Sequence, residues 1–214
     1  AISVCLVGSE MCIRDSCVSA GIPETADFNL GNNEGVGYFK VNQRRGLRWS
    51  SATAFLKPAL RRRNLQVMTQ AQVESLVMDG KRVTGLRFRQ AGKVKHATAN
   101  GAVILSAGAI GSPQIMQLSG IGPADLLQSH GIDVAHLLPG VGGNLQDHLQ
   151  IRAIYKVSNT VTLNERANSL FGRARIALEY ALNRSGPMSM APSQLGVFTK
   201  SDSALDTPDL QYHV

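Results

Sequence analysis

The clearest hydrophobic pattern lies in the first half of the chain. Residues 72–78 and 83–89 are short stretches rich in β-branched side chains, and Asp79-Gly80 between them is a strong signal for a hairpin turn. A further strand is expected at 94–98. We therefore predict an antiparallel sheet in this part of the molecule.

A second pattern combines a buried strand with a turn of small residues. Residues 102–106, AVILS, form a continuous apolar run, as expected of a strand covered on both faces in a parallel sheet. A helix is predicted over 112–118, with Pro113 at its first position. Such a turn brings backbone close to a ligand and aims helix N–H groups at it, although tight packing explains it equally well.

Apolar spacing also predicts a helix over 168–183, the strongest helical signal in the chain. The remaining elements are shorter, and two of them, 50–60 and 123–130, are expected to be helices. The other expected strands are 65–69, 133–138, 151–158, 195–199 and 210–214.

Composition narrows the class of protein. The 214 residues are 43% hydrophobic and 17% charged, which excludes an acidic disordered tail and a coiled coil. The net charge is +7, but no aromatic side chain interrupts Arg61–Arg63, so we expect no nucleic-acid partner. No apolar stretch is long enough to predict a transmembrane segment. Cys5, Cys12 and Cys17 fit no zinc spacing, and we expect no metal site.

The first sixteen residues differ from the rest. Within them, VCLVGSEMCIRDS resembles a translated sequencing adapter, so we expect residues 1–16 to be a non-native leader. A genuine variable N-terminal segment is the alternative.

The most specific motif is GAIGSPQIMQLSGIG at 108–122. It lacks the Gly-Lys-Ser/Thr of a P-loop and the spacing of GxGxxG. It resembles the second signature of the glucose–methanol–choline (GMC) flavoprotein oxidoreductases. Segments 46–60, 64–72, 139–148, 185–187 and 208–213 are also similar to that family, especially to its choline dehydrogenase-like alcohol dehydrogenases.

The resemblance implies an α/β (α+β) fold, with a partial FAD-binding Rossmann-like domain over 17–150 and the start of an antiparallel-sheet substrate domain over 151–214. It implies FAD as cofactor, and His213 in the substrate cavity. Asn144, Asp147 and His148 are expected to have structural hydrogen-bonding roles. The implied cofactor-binding residues are Val73, Ser106, Ala107, Gly108, Ala109 and Ser112.

The implied reaction is oxidation of a choline-like primary alcohol to an aldehyde, with hydride transfer to flavin N5. The family's GxGxxG and its C-terminal catalytic histidine segment have no match here, so we expect an internal fragment that is itself inactive. No cysteine follows Cys17, which is typical of a reducing compartment, so we expect a cytoplasmic location, with peripheral attachment to the inner membrane as an alternative. Another flavoprotein class and a non-enzymatic β-rich binding module are the competing interpretations.

Overall fold

The computed structural model describes residues 4–154, 162–190 and 193–213, and for residues 4–11 the backbone alone. The chain divides into two units, one formed by residues 1–63 with 155–214 and the other by 64–154. Helices and strands occur in both, which confirms the predicted mixed α/β class.

The first unit is built on a three-stranded antiparallel sheet in the order β1-β9-β10. Val36 in β1 pairs with Val197 in β9, and these side chains form the buried core together with Leu195. Ile13 and Cys17 of helix α1 pack against this core. The elements of the unit are α1 (Val4–Ser19), β1 (Gly35–Tyr38), β2 (Gln43–Arg44), β3 (Leu47–Arg48), α2 (Lys57–Ala59), α5 (Leu163–Asn168), α6 (Leu170–Asn183), β9 (Leu195–Thr199) and β10 (Leu210–His213).

Two glycines of β1 are required by a close backbone approach. The carbonyl oxygen of Pro23 would lie 2.7 Å from a Cβ at Gly35, and that of Thr25 would lie 2.3 Å from a Cβ at Gly37. Val36 bonds to the same segment, donating its N–H to Pro23 and accepting from Thr25. A side chain at either glycine would push this segment off the sheet.

The second unit contains the predicted hairpin. Strands β4 and β5 pair antiparallel, and β6 pairs with β5. The turn lies one residue later than expected, because Asp79 pairs with Arg82 and leaves Gly80 and Lys81 as the loop. The elements of the unit are β4 (Ala71–Asp79), β5 (Arg82–Gln90), β6 (Lys93–Thr98), α3 (Gly108–Leu118), β7 (Ile121–Gly122), α4 (Ala124–Ser129) and β8 (His136–Leu137).

Several short elements confirm the sequence predictions. The helix predicted at 123–130 is α4, and Gly131 follows it with a φ of +68°. The strand predicted at 133–138 is shortened to β8, which pairs parallel with β7. The helix predicted at 50–60 is present as a π-helical turn, Ala52–Leu56, followed by α2.

Two predicted strands are wrong. Residues 65–69 and 102–106 are irregular, and Ile104 is 85% exposed. A strand needs a neighbour to satisfy its backbone groups, and no described strand pairs with either segment. The first four residues of the strand predicted at 151–158 are also irregular, whereas residues 155–158 lie outside the described residues, as does Val214 of the strand predicted at 210–214.

Two predicted helices have different boundaries. The helix predicted at 168–183 is α6, which begins two residues late, after the extended Ser169, whose Oγ accepts a bond from the N–H of Gly172. A separate helix, α5, precedes it and was not predicted. Helix α3 begins at Gly108, four residues before the predicted start at Ser112. Pro113 therefore lies in the helix interior and not at its first position.

Candidate functional site

The start of α3 forms one wall of the candidate site. Gly108 has a φ of +81°, and the Ala107 N–H donates a 3.0 Å bond to Ser112 Oγ. The first four N–H groups of a helix have no acceptor within it. The helix therefore offers backbone donors at this end while Ser112 fixes the preceding turn.

Two neighbouring clefts lie between this helix start and the loop that follows β8. The larger has a volume of about 700 Å³ and the smaller about 400 Å³. Ala109 and Ile110 line both, facing loop residues that include Leu145 and Gln146. The larger volume is within the usual size range of small-molecule sites.

The lining of the larger cleft carries no charged side chain. It consists of apolar groups, glycine backbone, the Ser112 hydroxyl and side-chain amides. The smaller cleft adds one carboxylate, from Asp147. Such surfaces suit a neutral, partly apolar group that is recognised by hydrogen bonds more than by charge.

The loop is held in shape by its own polar groups. Asn144 has a φ of +53°, and its side-chain oxygen accepts a 2.8 Å bond from Gln146 Nε2. The Asp147 carboxylate accepts from the N–H of His148, also at 2.8 Å. Asn144 and Asp147 thus hold the loop through their side chains, as expected, whereas His148 contributes only its backbone N–H. Gln117 ties the loop to α3 by donating from Nε2 to the Val141 carbonyl oxygen at 3.1 Å.

The structure brings together four of the six residues predicted to bind cofactor. Ala107, Gly108, Ala109 and Ser112 line the clefts. Ser106 and Val73 are not among the lining residues. The lining also includes Gln117 of α3 and the loop residues Leu145 and Gln146, which were not predicted to bind cofactor. All three lie in segments of the family resemblance, Gln117 in 108–122 and the other two in 139–148, but no local pattern shows that these segments face each other.

Val73 lies in β4, next to an irregularity in the strand. The register of β4 against β5 shifts between Val73 and Ser75. Glu74 lies at this shift and forms ion pairs with the guanidinium nitrogens of Arg89 (2.7 Å) and Arg87 (3.3 Å). These ion pairs hold β4 to β5 beside Val73.

Ser119 connects β4 to the end of α3. Its Oγ accepts a 2.8 Å bond from the N–H of Leu76 and donates to the Ile115 carbonyl oxygen at 2.5 Å. The strand that carries Val73 is thereby fixed to the helix that lines the clefts.

The residue predicted to line a substrate cavity belongs to the first unit. His213 is at the end of β10, where its ring stacks on Phe39 with a centroid distance of 5.1 Å. Phe28 and Phe198 complete the aromatic group, with ring centroids 4.8 Å apart. Gly196, opposite His213 in the sheet, leaves room for the Phe39 ring.

Shifted pKa values lie elsewhere in the first unit. A hydrogen bond from Lys40 lowers the pKa of Asp27 to about 2. Bonds from the Ser201 hydroxyl and N–H lower the pKa of Asp209. Within the described residues, no group of three or more His, Cys, Asp and Glu side chains is arranged to hold a metal ion, and no helix is long and apolar enough to cross a bilayer.

Comparison with known proteins identifies the family. The family model described as GMC oxidoreductase matches residues 8–150, which is more than half of the chain. The chain belongs to the GMC oxidoreductase family. The resemblance predicted from 108–122 and its flanking segments is thus confirmed.

Individual relatives agree with this membership. This GMC chain is 39% identical over 199 residues to the oxygen-dependent choline dehydrogenase of Staphylococcus xylosus, covering 93% of the chain and 35% of that protein. It is 40% identical over 194 residues to the mitochondrial choline dehydrogenase of Homo sapiens, covering 91% of this chain and 32% of that protein. The chain therefore spans about a third of the length of these curated relatives.

Solved structures agree as well. A fungal aryl-alcohol oxidase matches with a TM-score of 0.77 and 27% identity, over 87% of this chain and 32% of that one. A formate oxidase of Aspergillus oryzae, studied for its FAD modification, matches with a TM-score of 0.74 and 25% identity, over 92% of this chain and 34% of that one.

Proposed function

We propose that this chain is part of an FAD-dependent enzyme that oxidises a primary alcohol, choline-like in type, to an aldehyde. The observation that carries the proposal is the pair of clefts between the start of α3 and the 140–147 loop, in a chain of the GMC family. The choline dehydrogenases among its relatives support the alcohol class.

The clefts fit the adenosine half of FAD better than its diphosphate. A diphosphate calls for cationic side chains or a glycine-rich loop of defined spacing, and the larger cleft has neither. Its apolar surface suits an adenine ring, and its amides and hydroxyl suit a ribose. In the proposal, Ala107, Gly108, Ala109 and Ser112 contact this half.

Val73 and Ser106 complete the proposed cofactor-binding set at the edge of the site. Val73 would contribute backbone groups, since its side chain faces Phe88 across the sheet. Ser106 would act from the extended segment that leads into α3. Both assignments rest on the family resemblance.

His213 and Phe39 are proposed to line the substrate cavity. The exposed His213 ring is held flat against Phe39, so the pair presents a rigid aromatic surface with a polar edge. Such a surface orients a small alcohol by contact and by one hydrogen bond.

When bound, FAD supplies the hydride acceptor for alcohol oxidation. The residues of this chain hold the cofactor and shape the cavity, and none is assigned a proton-transfer role. We expect the catalytic histidine in a segment that has no counterpart among these 214 residues.

Exposed apolar side chains support a function within a longer protein. Leu149, Ile151 and Ile154 are 97%, 92% and 90% exposed, and the chain covers about a third of the choline dehydrogenases it matches. The 214-residue chain alone is therefore expected to bind FAD weakly and to have no activity.

The proposed domain assignment also follows from the family resemblance. Residues 17–150 would belong to the FAD-binding domain and 151–214 to the substrate domain. The adapter-like string suggests a non-native leader at 1–16, whereas the family match begins at residue 8 and Ile13 packs on the core of the first unit. We propose a cytoplasmic location for the enzyme, with attachment to the inner membrane surface as an alternative.

A cleft-filling substitution tests the cofactor site in a longer protein that contains this sequence. Ala109→Trp places a large ring in both clefts, and we expect it to lower bound FAD at least tenfold. Gln128→Trp on the exposed side of α4 is the matched control, since it adds the same ring away from the clefts. Equal flavin content in the two folded variants would refute the assignment.

A further inference from the structure

The segment 139–154, which includes the loop facing α3, has little support of its own. Val141 is half-buried, and every other residue of the segment is exposed. The chain is fixed just before it, where the Leu138 N–H donates to the Gly122 carbonyl oxygen at 3.0 Å. The bonds within the segment are local, such as the one from the Gly143 N–H to the Gly140 carbonyl oxygen. A segment held only by local bonds opens easily.

Gln117 supplies the one hydrogen bond that, among the described residues, joins 139–154 to a different segment. Its Nε2 donates to the Val141 carbonyl oxygen at 3.1 Å. The side chain fits closely between two glycines. A Cβ at Gly122 would lie 3.2 Å from its Cγ, and a Cβ at Gly142, where φ is +81°, would lie 2.7 Å from its Nε2. These glycines leave the space through which the amide reaches the loop.

The Gln117–Val141 bond joins the two walls of the larger cleft at one end. Gln117 and Val141 both line that cleft. Ala109 lies about 12 Å earlier along α3, where the helix start faces Leu145 and Gln146. The walls are therefore tied at the far end of the helix, while the end with the proposed cofactor contacts depends on this tie for its width.

We propose that Gln117 is a positioning residue for the cofactor. Its bond to Val141 holds the 139–148 loop against α3 and keeps the clefts closed around the adenosine half of FAD. Without the bond the loop moves away from the helix, and FAD binds more weakly. This inference rests on the proposed function, since the FAD assignment gives the clefts their ligand.

Hydrogen exchange of the 214-residue chain measures the loop itself. Gln117→Met nearly keeps the length of the side chain and removes its donor. The Val141 and Gly143 amides bond within the turns of the loop, and their protection should fall about 3- to 10-fold, the change in equilibrium that one neutral hydrogen bond produces. The Leu118 amide in α3 should change by less than about twofold.

Titration of the apoprotein with FAD, in a longer protein that contains this sequence, measures the effect on the cofactor. Gln117→Met should raise the FAD dissociation constant by about the same 3- to 10-fold. Gln128→Met is the matched control, because it makes the same substitution on the exposed side of α4, away from the clefts. It should leave the dissociation constant within about twofold.

Gln117→Glu separates the hydrogen bond from packing. A protonated carboxyl group can donate to the Val141 carbonyl oxygen, whereas a carboxylate cannot. Relative to the unmodified protein at the same pH, the FAD dissociation constant of Gln117→Glu should be raised at about pH 8 and should return toward the unmodified value at about pH 4.5. The lining of the larger cleft carries no charged side chain, so the added pH dependence comes from position 117.

Each part of the inference has a result that overturns it. Unchanged loop protection in Gln117→Met, or an equal fall at Leu118, would show that the bond does not hold the loop specifically. Equal FAD dissociation constants in Gln117→Met and Gln128→Met would show that the loop is not coupled to the cofactor. A Gln117→Glu protein that matches Gln117→Met at every pH would assign the effect to packing. A longer protein that binds no FAD would refute the proposed function, and this inference with it.

Discussion

The Ser119→Ala substitution removes the link between β4 and α3. Ser119 Oγ accepts the Leu76 N–H at 2.8 Å, and β4 has no other described strand on that edge. The methyl group of alanine accepts no hydrogen bond, so the Leu76 N–H loses its protein partner. The Ile115 carbonyl oxygen also loses the hydroxyl that donates to it.

The free-energy cost of losing this bond depends on how far Leu76 and Ser119 are buried. A buried, unsatisfied donor costs about 1–3 kcal/mol. Leu76 and Ser119 are half-buried, so water compensates in part. We expect a loss of about 1–2 kcal/mol, which corresponds to a roughly 5- to 30-fold change in an opening equilibrium.

Hydrogen exchange of the Leu76 amide measures this directly. Its protection factor should fall by that 5- to 30-fold range in Ser119→Ala. The control is Ser129→Ala, which removes a hydroxyl bonded to the Leu126 carbonyl within α4. It should change the protection factor of the Leu76 amide by less than about twofold. Unchanged Leu76 protection in Ser119→Ala would refute the proposed link.

Three further outcomes are expected. Leu127→Ala, at a side chain 1% exposed, should cost about 2–5 kcal/mol in urea unfolding, while Leu126→Ala, at 40% exposed, should cost less than about 1 kcal/mol. Lys40 lowers the pKa of Asp27 to about 2, so the stability that Asp27 contributes should be full above about pH 4 and should decline as pH falls toward 2. Unfolding measured as a function of pH should show this dependence, and Asp27→Asn should remove it. Thr162→Ala breaks a capping box and should reduce helicity of α5 by circular dichroism, at a cost of about 1 kcal/mol.

Local chemistry explains what the sequence predicted well. The hairpin of β4 and β5 depends on neighbouring residues and a glycine turn, and it formed as expected apart from a one-residue shift. Helix α5 was missed, although Thr162 and Glu165 carry the spacing of a capping box and mark a helix start at residue 163.

Elements that depend on distant partners were predicted less well. The run at 102–106 has the composition of a buried strand, but composition cannot supply the neighbouring strands that would pair with it. Likewise, the contact from Gln117 to Val141 joins residues 24 positions apart, and no local pattern marks it. The motif at 108–122 located the cleft because it contains one whole wall of it.

The most direct test of the account is the absorption spectrum of a longer protein that contains this sequence. We predict a flavin spectrum with about one FAD per chain, bleached on anaerobic addition of a choline-like primary alcohol. A protein that is folded but purifies without flavin, and binds none when FAD is added, would contradict the account.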